Sequence, residues 1–223
     1  MRPDPAFGDS VALPVASTKQ DLSVAHVEDV ADAPLDQQLR SLEAAVATSV
    51  VARTILAETP TLNLPGWYLG AGAITGCVWN LLHGFDPRHG IKDYDLVYFD
   101  SDDLSSESET ALEHQANQLF QDLGVRLDVT NEARVHLWYE ERFGRAIDPY
   151  RSTEHAISTW PTTASSIGVR RESGLFTVCA PFGLRDLFAL VVRPNKALIS
   201  IDVYETKVVR WQAEWPELEV LEW

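Results

Sequence analysis

The sequence predicts an α/β (α+β) fold: a small mixed sheet flanked by helices, followed by a C-terminal α/β extension. Two observations carry this. Between Trp67 and Phe143 the local patterns alternate strand, helix, strand, helix, strand, helix, an order that sets helices against a sheet. Beyond about residue 150 the alternation gives way to short segments of either kind. The chain has 223 residues, 45% of them hydrophobic and seven of them Trp. That is enough to bury one sizeable core.

Residues 1–35 are rich in Pro, Ala, Asp and Ser and show no sustained period, so they read as a flexible N-terminal arm. Leu39, Leu42, Ala45, Val46 and Val50 then recur at three- and four-residue steps. They predict a helix from Leu35 through Ala57, ended by Thr59-Pro60. A loop over Asn63–Gly66 leads into a short strand, Trp67–Leu69, and the turn Gly70-Ala71-Gly72. A helix is expected over 73–83 and a loop over Gly84–Gly90. Tyr94–Phe99 mixes β-branched and aromatic residues, the composition of a strand. Ser105–Leu123 opens with Ser and acids and closes on Gly124, both helix-boundary signals. Val125–Val129 is a third strand and Ala133–Phe143 another helix. These elements make a core over residues 36–150.

Residues 151–223 form the extension packed on that core. Thr153–Ser158 and Ser165–Arg170 are each compatible with helix or strand. Phe176–Ala180 reads as a strand. Pro181–Asp186 opens a helix through Val192, which Arg193-Pro194-Asn195 breaks. A last helix spans Ile201–Trp215, before Pro216.

The net charge is −15. Acids concentrate in Asp100–Glu113, where Lys and Arg are absent, and in Glu214–Glu222. Such a surface repels nucleic acid, which favours a small molecule or a protein as partner. No apolar run approaches the roughly 20 residues of a membrane span, and no membrane partner is expected. The start lacks the basic and apolar stretches of a signal peptide. Cys77 and Cys179 sit far apart in apolar surroundings and read as buried free thiols, which suits a cytoplasmic protein.

Three carboxylates stand out. Asp93 and Asp95 flank Tyr94, and side chains at i and i+2 of a strand share one face. Asp128 lies in the next strand, where it joins them if the two strands are neighbours. Crowded carboxylates repel one another unless a cation offsets them, and oxygen ligands suit Mg²⁺ or Mn²⁺. Two such ions about 3.5–4 Å apart can serve phosphoryl chemistry. Taken alone, Asp-x-Asp is common in an acidic chain and more often only solvates a surface.

Leu69-Gly70-Ala71-Gly72-Ala73 joins a strand to a helix. Glycines there permit a tight turn and close approach to a phosphate, and the helix start offers free N–H groups. A plain turn without ligand fits the same residues. The dinucleotide-binding pattern Gly-x-Gly-x-x-Gly is missed by one residue at Gly76.

With these residues in view, the chain resembles the DNA polymerase β-like nucleotidyltransferase superfamily. That pattern is a hydrophobic residue, Gly, then Gly or Ser, followed after a helix by Asp-x-Asp on a strand and a third acid on the next strand. Here it matches Leu69-Gly70-Ala71, Asp93-Tyr94-Asp95 and Asp128. A bacterial family of nucleotidyltransferase-like proteins is more similar still. That likeness runs through Gly70-Ala71-Gly72-Ala73-Ile74, Val78-Trp79-Asn80, His83-Gly84, Ile91–Asp100, Arg126–Val129, Ala180–Leu184, Arg193-Pro194-Asn195 and Arg210-Trp211, over roughly residues 36–217.

The resemblance implies a polymerase-β-type nucleotidyltransferase core. Asp93, Asp95 and Asp128 would be catalytic and would hold Mg²⁺ (or Mn²⁺). Gly70, Ala71, Gly72 and Lys92 would bind a nucleoside triphosphate whose nucleoside monophosphate passes to an acceptor. Ala71 departs from the usual second Gly or Ser, so a hydroxyl contact to phosphate is lost and Gly72 is expected to shift the turn. The same departure leaves open a catalytically inactive nucleotide-binding or regulatory protein of this fold.

Several other side chains invite roles but have plainer readings. His83 and His89 border the loop before the Asp93 strand and suit a capping or surface place. Arg170 and Arg171 suit phosphate contacts, or a surface pair. Lys207 and Arg210 share a helix face and could meet phosphate, with pairing to acids such as Glu214 the favoured expectation. Trp160, Trp211 and Trp215 could stack on a base, with core packing the default.

Overall fold

A six-stranded mixed sheet organises the molecule. The computed structural model describes the strand Val11–Pro14 and residues 30–223. The remainder of the expected N-terminal arm lies outside the described residues. In chain order the strands are β1 (Val11–Pro14), β2 (Tyr68–Gly70), β3 (Tyr94–Tyr98), β4 (Leu127–Asn131), β5 (Gly168–Glu172) and β6 (Leu175–Cys179). They lie in the order β1-β6-β5-β2-β3-β4. Within this sheet only β3 and β4 run parallel. A parallel pair needs a crossover, usually a helix, and α4 (Ser106–Leu119) supplies it. The sheet crosses the boundary expected at residue 150, because β5 of the extension pairs directly with β2.

The helices α1 (Leu35–Thr48), α2 (Val50–Glu58) and α3 (Ala71–His83) precede α4, and α5 (Val135–Phe143), α6 (Thr153–Ile157), α7 (Arg185–Phe188) and α8 (Ile201–Glu214) follow it. The main core lies between helices and one sheet face: Leu69, Tyr94, Leu96, Leu127 and Val129 meet Leu42, Ile74, Val78 and Trp79. The opposite sheet face buries a smaller cluster, Tyr68, Val97, Ile157 and Cys179, with Trp160 against it. Cys77 and Cys179 are free and buried. Among the described residues no helix is long and apolar enough to cross a membrane.

Three local readings change. The single helix expected over Leu35–Ala57 is two. Ser49 takes extended backbone (φ −82°, ψ 110°) and its Oγ accepts the Ala52 N–H at 3.2 Å. That buried N-cap starts a new helix, which hydrophobic periodicity does not register. The helix expected up to Val192 stops at Phe188. Leu190 has φ 58°, the left-handed region, and the chain turns into a two-residue strand, β7 (Val191–Val192), parallel to β8 (Glu219–Val220). The two ambiguous segments resolve: Thr153–Ile157 is helical, and Gly168–Glu172 is a strand. Ser173 (φ 50°) and Gly174 (φ 78°) turn β5 into β6, and two consecutive positive φ values match the tight turn that suits twisted antiparallel strands.

Candidate active site

Strand register places the acids. Gly70 pairs with Asp95 across β2 and β3, and Asp95 pairs with Asp128 across β3 and β4. Gly168 of β5 pairs with Gly70, and Cys179 of β6 with Gly168. Residues directly opposite point to the same sheet face. One row across five strands therefore reads Cys179, Gly168, Gly70, Asp95, Asp128. Asp93 lies two residues before Asp95, at the mouth of β3.

Two glycines in that row let neighbouring side chains pack directly on the sheet backbone beside Asp95. A Cβ on Gly70 would lie 2.6 Å from Trp160 Cη2 and 2.8 Å from the Ile167 carbonyl oxygen. So Gly70 is small because Trp160 packs on it, a reason the turn reading had not anticipated. Trp160 is itself held in place. Its carbonyl oxygen accepts from Asn195 Nδ2 at 2.9 Å and from Ser166 Oγ at 3.3 Å. Asn195 Nδ2 also reaches the Ser158 carbonyl at 2.9 Å. Arg193 pairs with Asp186 at 2.9 Å, and Asp186 accepts from Thr163 Oγ1 at 2.6 Å. The Arg193-Pro194-Asn195 segment thus braces the loop that carries Trp160.

The turn after Gly70 differs from expectation in one respect. Ala71, not Gly72, adopts the left-handed backbone, with φ 50°. Its N–H donates to the Ile167 carbonyl at 3.0 Å. Gly72 has open space where a Cβ would stand. A non-glycine residue in this region costs about 1–2 kcal/mol, and such strain gathers at functional sites.

The electrostatics are those of a crowded acidic site. Asp95 is pushed up to about 6, first by burial and then by the charges of Asp93 and Asp128, with Lys207 and Arg210 opposing. Asp128 Oδ1 lies 2.7 Å from Arg126 Nη2 yet is buried without an aligned hydrogen bond. Among the described residues no three His, Cys, Asp or Glu side chains converge as a ready metal cage. Asp95 and Asp128 are cross-strand neighbours on one face, and Asp93 is a further negative charge near Asp95. All the donors are hard carboxylate oxygens, and one of those oxygens lacks a hydrogen bond. That set fits a hard divalent cation, of the kind that keeps waters and takes phosphate oxygens as well.

Glu132 is the residue that sequence reading missed. It follows β4 directly, is only 5% exposed and is pushed up to about 8. Burial is the main cause, then the charges of Asp95 and Glu109, and a hydrogen bond with the Trp160 side chain offsets them in part. An isolated Glu ahead of a helix carries no local signal for this. The Arg134 salt bridge to Glu109, together with Asn131, pins this end of β4: Asn131 Nδ2 donates to the carbonyls of Asp100 and Asp103 at 2.9 and 3.1 Å.

Other expected residues fall as follows. Lys92 is exposed and makes no salt bridge among the described residues. His89 meets Glu214, with Nε2 3.5 Å from its carboxylate and 2.9 Å from its carbonyl oxygen. Among the described residues neither Lys207 nor Arg210 pairs with Glu214; both are nearby positive charges that favour the ionised form of Asp95. His83 Nδ1 meets the Trp79 carbonyl at 2.8 Å, which is a structural place. Arg170 and Arg171 alternate on β5: Arg170 lies over the Tyr68 ring at 4.8 Å, and Arg171 pairs with Glu43 at 2.6 Å. Trp211 and Trp215 are buried core residues.

A family profile described as nucleotidyltransferase matches residues 57–220. The chain belongs to this nucleotidyltransferase family. No curated protein matches it. A solved structure whose NMR study describes a CCA-adding enzyme head domain is similar with a TM-score of 0.69 and 24% identity. The likeness covers 88% of this chain and all of that one. At this identity it shows the nucleotidyltransferase head-domain fold, here a mixed sheet flanked by helices.

Proposed function

We propose that this nucleotidyltransferase moves a nucleoside monophosphate from a nucleoside triphosphate to an acceptor that is a small molecule or a protein. The observation that carries the reading is the row Gly70, Asp95, Asp128, with Asp93 at its mouth, beside the turn into α3. In the reaction, an acceptor lone pair forms a bond to the α-phosphorus. The bond from that phosphorus to the oxygen bridging the β-phosphate breaks, and pyrophosphate departs.

Asp93, Asp95 and Asp128 would hold Mg²⁺ (or Mn²⁺), which supplies charge neutralisation of the triphosphate and acidification of the acceptor. Asp128, at the end of the row beside Asp95, would take the acceptor's proton. The Gly72 and Ala73 N–H groups, at the start of α3, would face the phosphates. Lys92 would reach them only from the solvent side. The acidic surface opposes a polynucleotide acceptor. Two free buried thiols suit a cytoplasmic setting.

Transfer of α-labelled nucleotides to a cell extract tests this. Label should enter product with at least one of ATP, CTP, GTP and UTP in the presence of Mg²⁺, and Asp95→Asn should abolish it. Equal turnover by Asp95→Asn, or no product with any nucleotide, sinks the reading. The strained Ala71 favours one alternative, a catalytically inactive nucleotide-binding or regulatory protein. Calorimetric binding of a nucleotide without any transfer would select it.

A further inference from the structure

Lys207 and Arg210 are the cations that the scheme above leaves without work. They stand three residues apart on α8, on one face of the helix. The position of α8 is set by aromatic packing: Trp211 and Trp215 meet Trp79 of α3 edge-on, with ring centroids 5.1 and 5.2 Å apart. Trp215 Nε1 also donates to Asn80 Oδ1 at 2.7 Å. The helix that starts at the Ala71 turn thus fixes the helix that bears the two cations. Lys207 Nζ lies 4.7 Å from the centroid of the Trp211 ring, and both cations are charge neighbours of Asp95.

Arg171 and Arg193 are each met by a carboxylate, Glu43 and Asp186. Lys207 and Arg210 are not. Among the described residues neither comes within ion-pair range of a carboxylate. Arg210 Nε is buried with no hydrogen-bond partner. Two half-buried like charges repel, and an unmet buried donor costs about 1–3 kcal/mol. A ligand with several negative oxygens satisfies both, since guanidinium and ammonium groups suit phosphate.

We propose that Lys207 and Arg210 bind the β- and γ-phosphates of the donor and then the departing pyrophosphate, holding polyphosphate between α8 and the row of carboxylates. The identity of the ligand rests on the nucleotidyl-transfer reading; the anion site itself does not. The α-phosphorus is thereby placed toward Asp95 and Asp128, and negative charge growing on the leaving group meets two fixed cations.

The test is calorimetry of the full chain with inorganic tripolyphosphate, with and without Mg²⁺. Wild type should bind. Lys207→Met and Arg210→Gln should each weaken binding by about tenfold or more, whereas Arg53→Gln, on the exposed side of α2, should leave it within about twofold. Asp95→Asn should retain metal-free binding. Lys207→Met keeps the stem packed on Trp211 and should melt no lower than wild type, which separates loss of ligand from loss of fold. If Arg210→Gln does not fold, Lys207→Met decides. Wild-type affinity in Lys207→Met, no binding by wild type in either condition, or an equal loss in Arg53→Gln overturns the proposal. Tripolyphosphate binding without nucleotide transfer would fail the enzymatic reading alone. Transfer with an unchanged donor KM in Lys207→Met would fail this one alone.

Discussion

Replacing Asp95 by Asn should make the protein more stable while removing its activity. In the unfolded chain this carboxyl titrates near the ordinary 3.8, and in the folded protein near 6. The folded state therefore keeps a proton that the unfolded chain has already released. The resulting penalty is absent below pH 3.8, grows between 3.8 and about 6, and is constant above. The gap between the two values corresponds to at most about 3 kcal/mol at neutral pH. Asparagine retains the shape and removes the charge that burial, Asp93 and Asp128 oppose. For a chain of this size about 1 kcal/mol moves the melting temperature by roughly 2–4 °C, so the upper bound is a rise of about 6–12 °C. The assay is thermal melting of both proteins at about pH 7.5 and about pH 4, with and without Mg²⁺. The gain should be present at the higher pH and nearly gone at the lower. Mg²⁺ should raise the wild-type melting temperature and leave that of the variant unmoved. A variant that melts below wild type at about pH 7.5, or a gain of equal size at both pH values, refutes the argument.

Glu132→Gln should flatten the pH dependence of stability. Wild-type stability falls as pH rises from 4.5 to about 8, because folded Glu132 holds a proton that the unfolded chain has lost; urea melts check whether the slope between about pH 6 and 8, above the range in which Asp95 titrates, disappears in the variant. Ala71→Gly should stabilise the fold by about 0.5–1 kcal/mol, because relief of the left-handed strain outweighs the added freedom of the unfolded chain; a lower urea midpoint in the variant would count against the strain at φ 50°.

Part of the site was legible in the residues alone. Asp93 and Asp95 share a face because strand side chains alternate with period two, and that is a local property. The strand beneath them shows in its β-branched and aromatic composition, and the Ser105 cap and Gly124 mark the ends of the α4 region. Ser49 was invisible as a break because apolar spacing continues across it, while the cap depends on one hydroxyl meeting one N–H. The β7 strand was invisible because two residues carry no period and their partner lies near the C-terminus.

By itself, then, the sequence determined the elements whose signal is periodic or sits at a boundary: an acidic pair on a strand, a glycine turn into a helix, and alternating strands and helices. Tertiary structure alone decided that Asp128 stands directly beside Asp95, that Trp160 is the reason Gly70 has no side chain, that Ala71 bears the left-handed turn, and that Glu132, Lys207 and Arg210 are charge neighbours of Asp95. The physical reason is range. Alternation and capping act over a few residues, whereas the field at Asp95 combines Asp93 beside it with Asp128 of β4 and Lys207 and Arg210 of α8, which only the closed sheet and the Trp79 packing bring together.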